Sequence, residues 1–231
     1  MEYNNAMNGF AKEYAVALLQ KLNLFFENHK DISAIKIDLD EKGRRDCVEL
    51  LRSVSDNTEL LDIYKKGHLY TKLINNIVLP YLLRMWGMET SNEYYRIDLI
   101  GYRKGTINDS FVQRGKELGL IPYCWGFDYA IEHENARGKW IDEAIKLAYI
   151  NCPMRVIIGY NRPIKSNEKQ DAYNTACLEY LIECIEQANI PKADNTALVV
   201  LFGIRDEKGA WKHIKYEGYV VDYGTKTIEK L

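Results

Sequence analysis

The chain has 231 residues, 47% of them hydrophobic, and a formal net charge of −2 at neutral pH. That length and apolar content suit one large globular unit with a real core and exclude a disordered chain. The near-balanced charge provides no global basic field of the kind that marks a general nucleic-acid binder, although an acidic centre can offset basic rims elsewhere.

Residues 9–28 carry Phe10, Tyr14, Ala17, Leu18, Leu22, Phe25 and Phe26 on one stripe, the period of a helix. Ile35, Ile37 and Leu39 alternate weakly, so Ile32–Leu39 reads as a short strand or extended turn. Arg44–Val54 reads as a second helix, stopped by Ser55-Asp56-Asn57, and Thr58–Tyr64 as another, with a break at Gly67. His68–Met88 is apolar at helical period, and Pro80 is expected to kink or split it. Tyr94–Tyr102 is a strand rich in Tyr, Ile and Leu, and 103–126, dense in Gly, is irregular. Phe127–Glu134 is a second strand, Gly138–Ile150 an amphipathic helix, and Met154–Tyr160 a fully buried strand. Glu168–Asn189 is a long helix, Ala197–Gly203 a core strand, and Trp211–Val221 suggests a closing hairpin. Strands alternating with helices predict an α/β fold, a central mixed β-sheet flanked by helices. One domain over 1–231 is expected, with a helical N-terminal part (1–90) and an α/β core (91–231).

The cysteines at 47, 124, 152, 177 and 184 are odd in number and form no Cys-x-x-Cys, which predicts reduced thiols in the cytoplasm. The histidines at 29, 68, 133 and 213 are too scattered for a zinc site. Polar residues interrupt the N-terminus, so no signal peptide is expected, and no apolar run is long enough for a membrane span. Motifs for P-loop nucleotide hydrolysis, dinucleotide binding and the Gly-x-Ser-x-Gly nucleophile are absent from the sequence.

Asp98, Glu132 and Glu134 stand out because they sit in strands that read as buried. A carboxylate is costly there unless something pairs with it, and Mg²⁺, which prefers oxygen ligands, is an economical partner. Strand alternation puts Asp128, Glu132 and Glu134 on one face and His133 on the other, packed between sheet and helix. Glu132 and Glu134 lie about 6.6 Å apart along a strand, close enough to converge on one ion or on two ions roughly 3.5–4 Å apart. These residues point to a metal-dependent hydrolase, while a purely structural acid cluster in an unrelated α/β protein stays open.

Ile97-Asp98, then Ile131-Glu132-His133-Glu134, then a helix and a buried strand, resembles the PD-(D/E)xK nuclease superfamily, which includes the restriction endonucleases. Residues 70–160 carry the resemblance. Glu132-His133-Glu134-Asn135 followed by Trp140, Glu143, Lys146 and Leu147 also resembles uncharacterised members of that group. The chain departs from the pattern at Ile97, where proline is usual, and at Glu134, where lysine is usual. The resemblance implies a restriction-endonuclease-like fold and Mg²⁺-dependent hydrolysis of DNA, with Mn²⁺ as a possible substitute and a role in restriction or phage defence. It assigns Asp98 and Glu132 to the metal. Glu134 is assigned to the metal or the attacking water, and Lys146 to the lysine's role from the next helix. An acid from an earlier helix is often added, for which Glu59 and Asp62 are weak candidates. Arg103, Lys104, Arg114 and Lys116 after the first strand, and Arg137 and Lys139 after the second, are expected to flank the centre and grip phosphates. Asp128 is expected near the centre, and Asn135 at the strand end. A homodimer follows by analogy with two-strand cutters. The alternative is a catalytically inactive nucleic-acid- or protein-binding member of the same fold.

Overall fold

A computed structural model describes residues 2–29, 31–38, 41, 52, 54–55, 58–94, 96–104, 109–120, 125–161, 164, 166–190, 196–204 and 214–231, with backbone alone at 2–11, 36–38, 61, 104, 125 and 167. The helix expected over Arg44–Val54 and the start of the hairpin at Trp211 lie almost wholly outside them.

Helix α1 spans Glu2–Asn28 and buries Leu18, Leu22, Phe25 and Phe26, the stripe read from the sequence. Ile32–Asp38 is a helix, α2, and not the strand expected from its weak alternation. Asp31 explains the difference: its Oδ1 accepts the Ala34 N–H at 2.9 Å and the Ser33 hydroxyl at 2.7 Å, a helix N-cap. Ile32 and Ile35, one turn apart, then enter the core together.

After α3 (Leu60–Tyr64), Gly67 opens one continuous helical rod. It comprises α4 (Gly67–Leu73), a π-helical segment (Ile74–Val78) and α5 (Leu79–Met85). Pro80 accounts for the π segment. The Leu79 N–H bonds back to Ile74 O, five residues earlier, and Pro80 has no N–H to offer Asn75 O in the same register. The Asn92 amide donates to that carbonyl at 3.3 Å instead.

The seven strands form one sheet in chain order: β1 (Glu89–Tyr94), β2 (Ile97–Lys104), β3 (Trp125–His133), β4 (Met154–Gly159), β5 (Ala197–Ile204), β6 (Lys215–Asp222) and β7 (Thr227–Lys230). β3, β4 and β5 are parallel, and every other neighbouring pair is antiparallel. The expected strand Tyr94–Tyr102 is β2 from Ile97 onward, while Tyr94 ends β1, and Glu93 and Arg96 near the junction of this hairpin have positive φ (55° and 63°). β1 escaped notice because Glu-Thr-Ser-Asn-Glu-Tyr, on the sheet edge, has no apolar alternation. Within the segment expected to be irregular, Asp109–Glu117 is a helix, α6, with no buried residue and hence no core stripe to reveal it. The closing hairpin is formed by β6 and β7, further along the chain than expected.

The parallel connections carry α7 (Trp140–Ala148) and α8 (Asn167–Gln187), which pack on one face of the sheet with Ala130, Ile157 and Val200. The N-terminal helices cover the other face, where Leu18, Ile77 and Leu83 join Ile131, Val156 and Leu201 in one core. β4 is buried along its whole length, as a central strand covered on both sides must be. Its Arg155 is 1% exposed, and its guanidinium donates to the Tyr223 hydroxyl and Ala197 O, both at 3.0 Å. Cys152, Cys177 and Cys184 are not joined in disulfides. Among the described residues no helix is long and apolar enough to cross a membrane.

Gly159 seats α7. A Cβ there would lie 2.8 Å from Trp140 Cβ and Cγ, so the strand must end without a side chain where the indole crosses it. Gly159→Ala is expected to cost about 1–3 kcal/mol by overpacking, read as a lower urea midpoint. An unchanged midpoint would mean that α7 can move away freely.

Candidate active site

The β2–β3 ladder pairs Leu99 with Ile131 and Ile100 with Ala130. One step further along that register, Asp98 stands opposite Glu132. β3 also runs parallel to β4, and the Glu134 N–H extends this pairing by donating to Ile158 O at 2.9 Å. The acids thus gather at the carboxyl end of β3, where the sheet changes from antiparallel to parallel. Open α/β sheets place their ligand sites outside the carboxyl ends of their strands.

A cleft of about 500 Å³ opens there, lined by Arg96, Asp98, Glu132, His133, Glu134, Asp142, Glu143 and Lys146. Asp98 Oδ2 accepts the His133 N–H at 2.8 Å. Burial raises the Asp98 pKa above the usual carboxylate value, opposed by that bond and by a hydrogen bond from Asn75. Glu132 is 1% exposed. Its Oε1 lies 2.7 Å from Lys146 Nζ, an ion pair, and no other donor reaches it among the described residues. Burial pushes the Glu132 carboxyl up to about 8; the Lys146 ammonium opposes the rise and the Asp98 charge adds to it. Burial works against the Lys146 ammonium, but its contacts with Glu132 and Glu143 outweigh that and raise its pKa. Nζ also donates to Arg96 O at 2.9 Å, which ties α7 to the turn of the first hairpin.

Glu134 lines the same cleft just beyond the end of β3, with its Oε1 accepting the Ala136 N–H at 2.6 Å. His133 lies on the opposite face, as strand alternation requires. Its Nε2 meets the Tyr160 hydroxyl at 3.0 Å, Tyr160 meets Tyr216 at 3.3 Å, and Tyr216 bonds to Tyr70. Burial lowers the His133 pKa to about 3, so the ring is neutral at pH 7. The Asn135 amide donates to Gly67 O at 2.9 Å and to Thr71, fastening the strand end to α4.

The basic residues divide. Arg137 and Lys139 are exposed in the turn between β3 and α7; neither lines the acid cleft, and Arg137 lines a neighbouring cavity. Arg103 pairs in register with Gly126 and Lys104 with Trp125, at the other end of the ladder. Five residues of strand, about 16 Å, separate Arg103 from Asp98, so this pair does not flank the acids. Asp128 is at that far end too, 3.3 Å from Arg103 Nε. Arg114 and Lys116 are exposed on α6. Neither weak candidate for an acid from the helices lines the cleft: Asp62 pairs with Lys65, and the Glu59 backbone forms a β-bridge with that of Asp31. The helical residue that reaches Asp98 is Asn75, in the π segment, and the cation added to the cleft is Arg96. Sequence reasoning missed both. A Pro five residues after Asn75 is the only signal of the first, and the second depends on a turn hidden inside an apparent strand.

Among the described residues no three Cys, His, Asp or Glu side chains are gathered as a metal cage. Mg²⁺ commonly takes only one or two protein carboxylates, completing its shell with water and substrate phosphate. Asp98 and Glu132 fit that habit: both donors are oxygen, both line one cleft, and the Lys146 ammonium at 2.7 Å from Glu132 Oε1 stands where a cation would be held. These two could hold a hard divalent ion. Comparison with protein-family models, with curated proteins and with solved structures finds no match for the chain.

Neutral burial of His133 has a pH signature. The unfolded chain takes up this proton near 6.5 and the folded chain only near 3. The stability contributed by His133 is therefore complete above about pH 6.5 and falls on acidification by up to about 1.4 kcal/mol per unit. The stability advantage of wild type over His133→Gln in urea should shrink by about that amount between pH 7.5 and 5.5. Glu132 titrates in the opposite sense, but in both proteins, so the difference isolates His133. An advantage that does not change with pH would show that the ring protonates in the folded state.

Proposed function

We propose that the protein is a Mg²⁺-dependent endonuclease of the PD-(D/E)xK type that hydrolyses phosphodiester bonds in DNA. The observation that carries this reading is the meeting of Asp98 and Glu132, the latter 1% exposed, at one cleft where the Lys146 ammonium lies 2.7 Å from Glu132 Oε1. In this reading Asp98 and Glu132 hold the ion, and the His133 N–H fixes the orientation of Asp98. Bound Mg²⁺, or Mn²⁺ in its place, supplies polarisation of the phosphate and a lower pKa for the attacking water. With an ion held by Asp98 and Glu132, Lys146 would no longer be needed by Glu132 and would offer its charge to the negative charge developing on the phosphate. Glu134 orients water or adds a metal ligand. Arg96, Arg137 and Lys139 grip the backbone around the cut. Cysteines outside disulfides suit the cytoplasm, and a homodimer would bring two such sites to a duplex.

One observation favours a second reading. Lys146 already neutralises Glu132 at 2.7 Å, as in a site that has lost its metal and serves as a nucleic-acid- or protein-binding surface.

Nicking of supercoiled plasmid separates the two. Wild type should nick with Mg²⁺ or Mn²⁺ and stop in EDTA. Asp98→Asn and Glu132→Gln should each lose about a hundredfold or more, while keeping a cooperative thermal transition. Nicking that survives in either variant, or in EDTA, places the chemistry elsewhere.

A further inference from the structure

The carboxyl end of β3 separates two depressions. Glu132 and Glu134 line the acid cleft. Asn135 and Arg137 line a smaller cavity of about 140 Å³, with Tyr64, Tyr160, Asn161 and Gly67 among its other walls. Alternation along the chain sends Glu134 to one and Asn135 to the other. The acid chemistry makes no use of the second cavity.

The walls of this cavity are aromatic and rigid. Tyr64 packs edge-on against Tyr70 (4.8 Å, 80°) and Tyr160 (5.9 Å, 65°), and Tyr70 and Tyr160 are locked from behind through Tyr216. The Asn161 amide is spent on Trp140 and Asn174, so it is wall and not ligand. Asn135 uses its amide nitrogen on α4 and keeps its Oδ1 to accept a bond. Arg137 is exposed and has no ion-pair partner among the described residues. A purely apolar ligand would leave these polar groups unused; Lys65, the other cation on the wall, is paired with Asp62, so a free phosphate would meet Arg137 among largely aromatic walls. Drug-sized ligands need roughly 300 Å³ or more, so the cavity has room only for a small flat ring.

We propose that this cavity is a base pocket: it takes one unstacked nucleobase of a DNA strand whose neighbouring phosphate lies in the acid cleft. The inference rests on the nuclease reading and names its substrate class, single-stranded or locally unpaired DNA. A base inside a duplex is stacked and paired, and must leave the helix to enter such a pocket. Aromatic contact and the Arg137 charge favour any base, and the Asn135 carbonyl favours one that presents an exocyclic amine.

Gly67 allows a direct test. A Cβ there would meet nothing closer than Asn135 at 4.0 Å, so Gly67→Met can fill the cavity and Gly67→Ala serves as its small control. Fluorescence anisotropy in Ca²⁺ would measure binding of a single-stranded oligonucleotide, its duplex, and single strands with one abasic position scanned along the length. Wild type should prefer the single strand about tenfold or more, and one abasic position should cost a similar factor. Gly67→Met should show the same loss and no further loss with the abasic strand, while Gly67→Ala matches wild type. Mn²⁺ binding by calorimetry should be the same in all three proteins. Plasmid nicking by a wild type that binds single strand and duplex equally, or is indifferent to every abasic position, overturns the base pocket and leaves the nuclease reading. Base-dependent binding without Mn²⁺ binding or nicking overturns the nuclease reading and leaves the pocket. A folded Gly67→Met that keeps full affinity for the single strand overturns the pocket.

Discussion

A carboxyl group with almost no access to water governs the architecture around it. Glu132 ends the best-buried part of the sheet, and burial of an ionised carboxylate without partners is among the larger penalties a fold can carry. The surroundings answer it in layers. Lys146 supplies the opposite charge, Glu143 holds Lys146, and the Arg96 carbonyl fixes its third direction. Gly159 allows Trp140 to lie close against the strand end, which sets the helix that carries Lys146. A fold concerned only with stability has cheaper solutions at that position, such as an apolar side chain.

The two sides of β3 use opposite electrostatic strategies within consecutive residues. Glu132 sits among charges, while His133 is stripped of charge and joined to hydroxyl groups. The backbone couples them, since the His133 N–H holds Asp98 while its ring sits in the tyrosine network. Rigidity on the tyrosine side therefore passes directly to the carboxylate geometry on the other.

The sequence was readable where burial imposes a period. β4 and β5, buried through most of their length, and α7 with Trp140, Ala144 and Leu147 inward followed the pattern expected of them. Asp98, Glu132 and Lys146 were singled out together through the family resemblance, and the fold brings all three to one cleft. What stayed hidden had no apolar period. β1 is a polar edge strand, α6 buries nothing, and α2 was decided by the Asp31 cap against a misleading alternation. The basic cluster was misjudged for a different reason. Arg103 follows Asp98 closely in sequence, but an extended strand carries five residues across half the sheet. Asn75 and Arg96 owe their positions to a π turn and a left-handed turn residue, which composition does not announce.

The π turn also bears on how such a site can arise. A turn of this kind behaves as one residue inserted into an α-helix. Each residue of an α-helix advances it by about 100°. Loss of a single codon at Asn76 would rotate Gly67–Leu73 by that angle against Leu79–Met85. Asn75 would swing away from Asp98, and Thr71 away from Asn135, in the same step. A one-residue gain in an ancestral straight helix would, conversely, have created both contacts at once, with Pro80 then selected to keep the wider turn from closing.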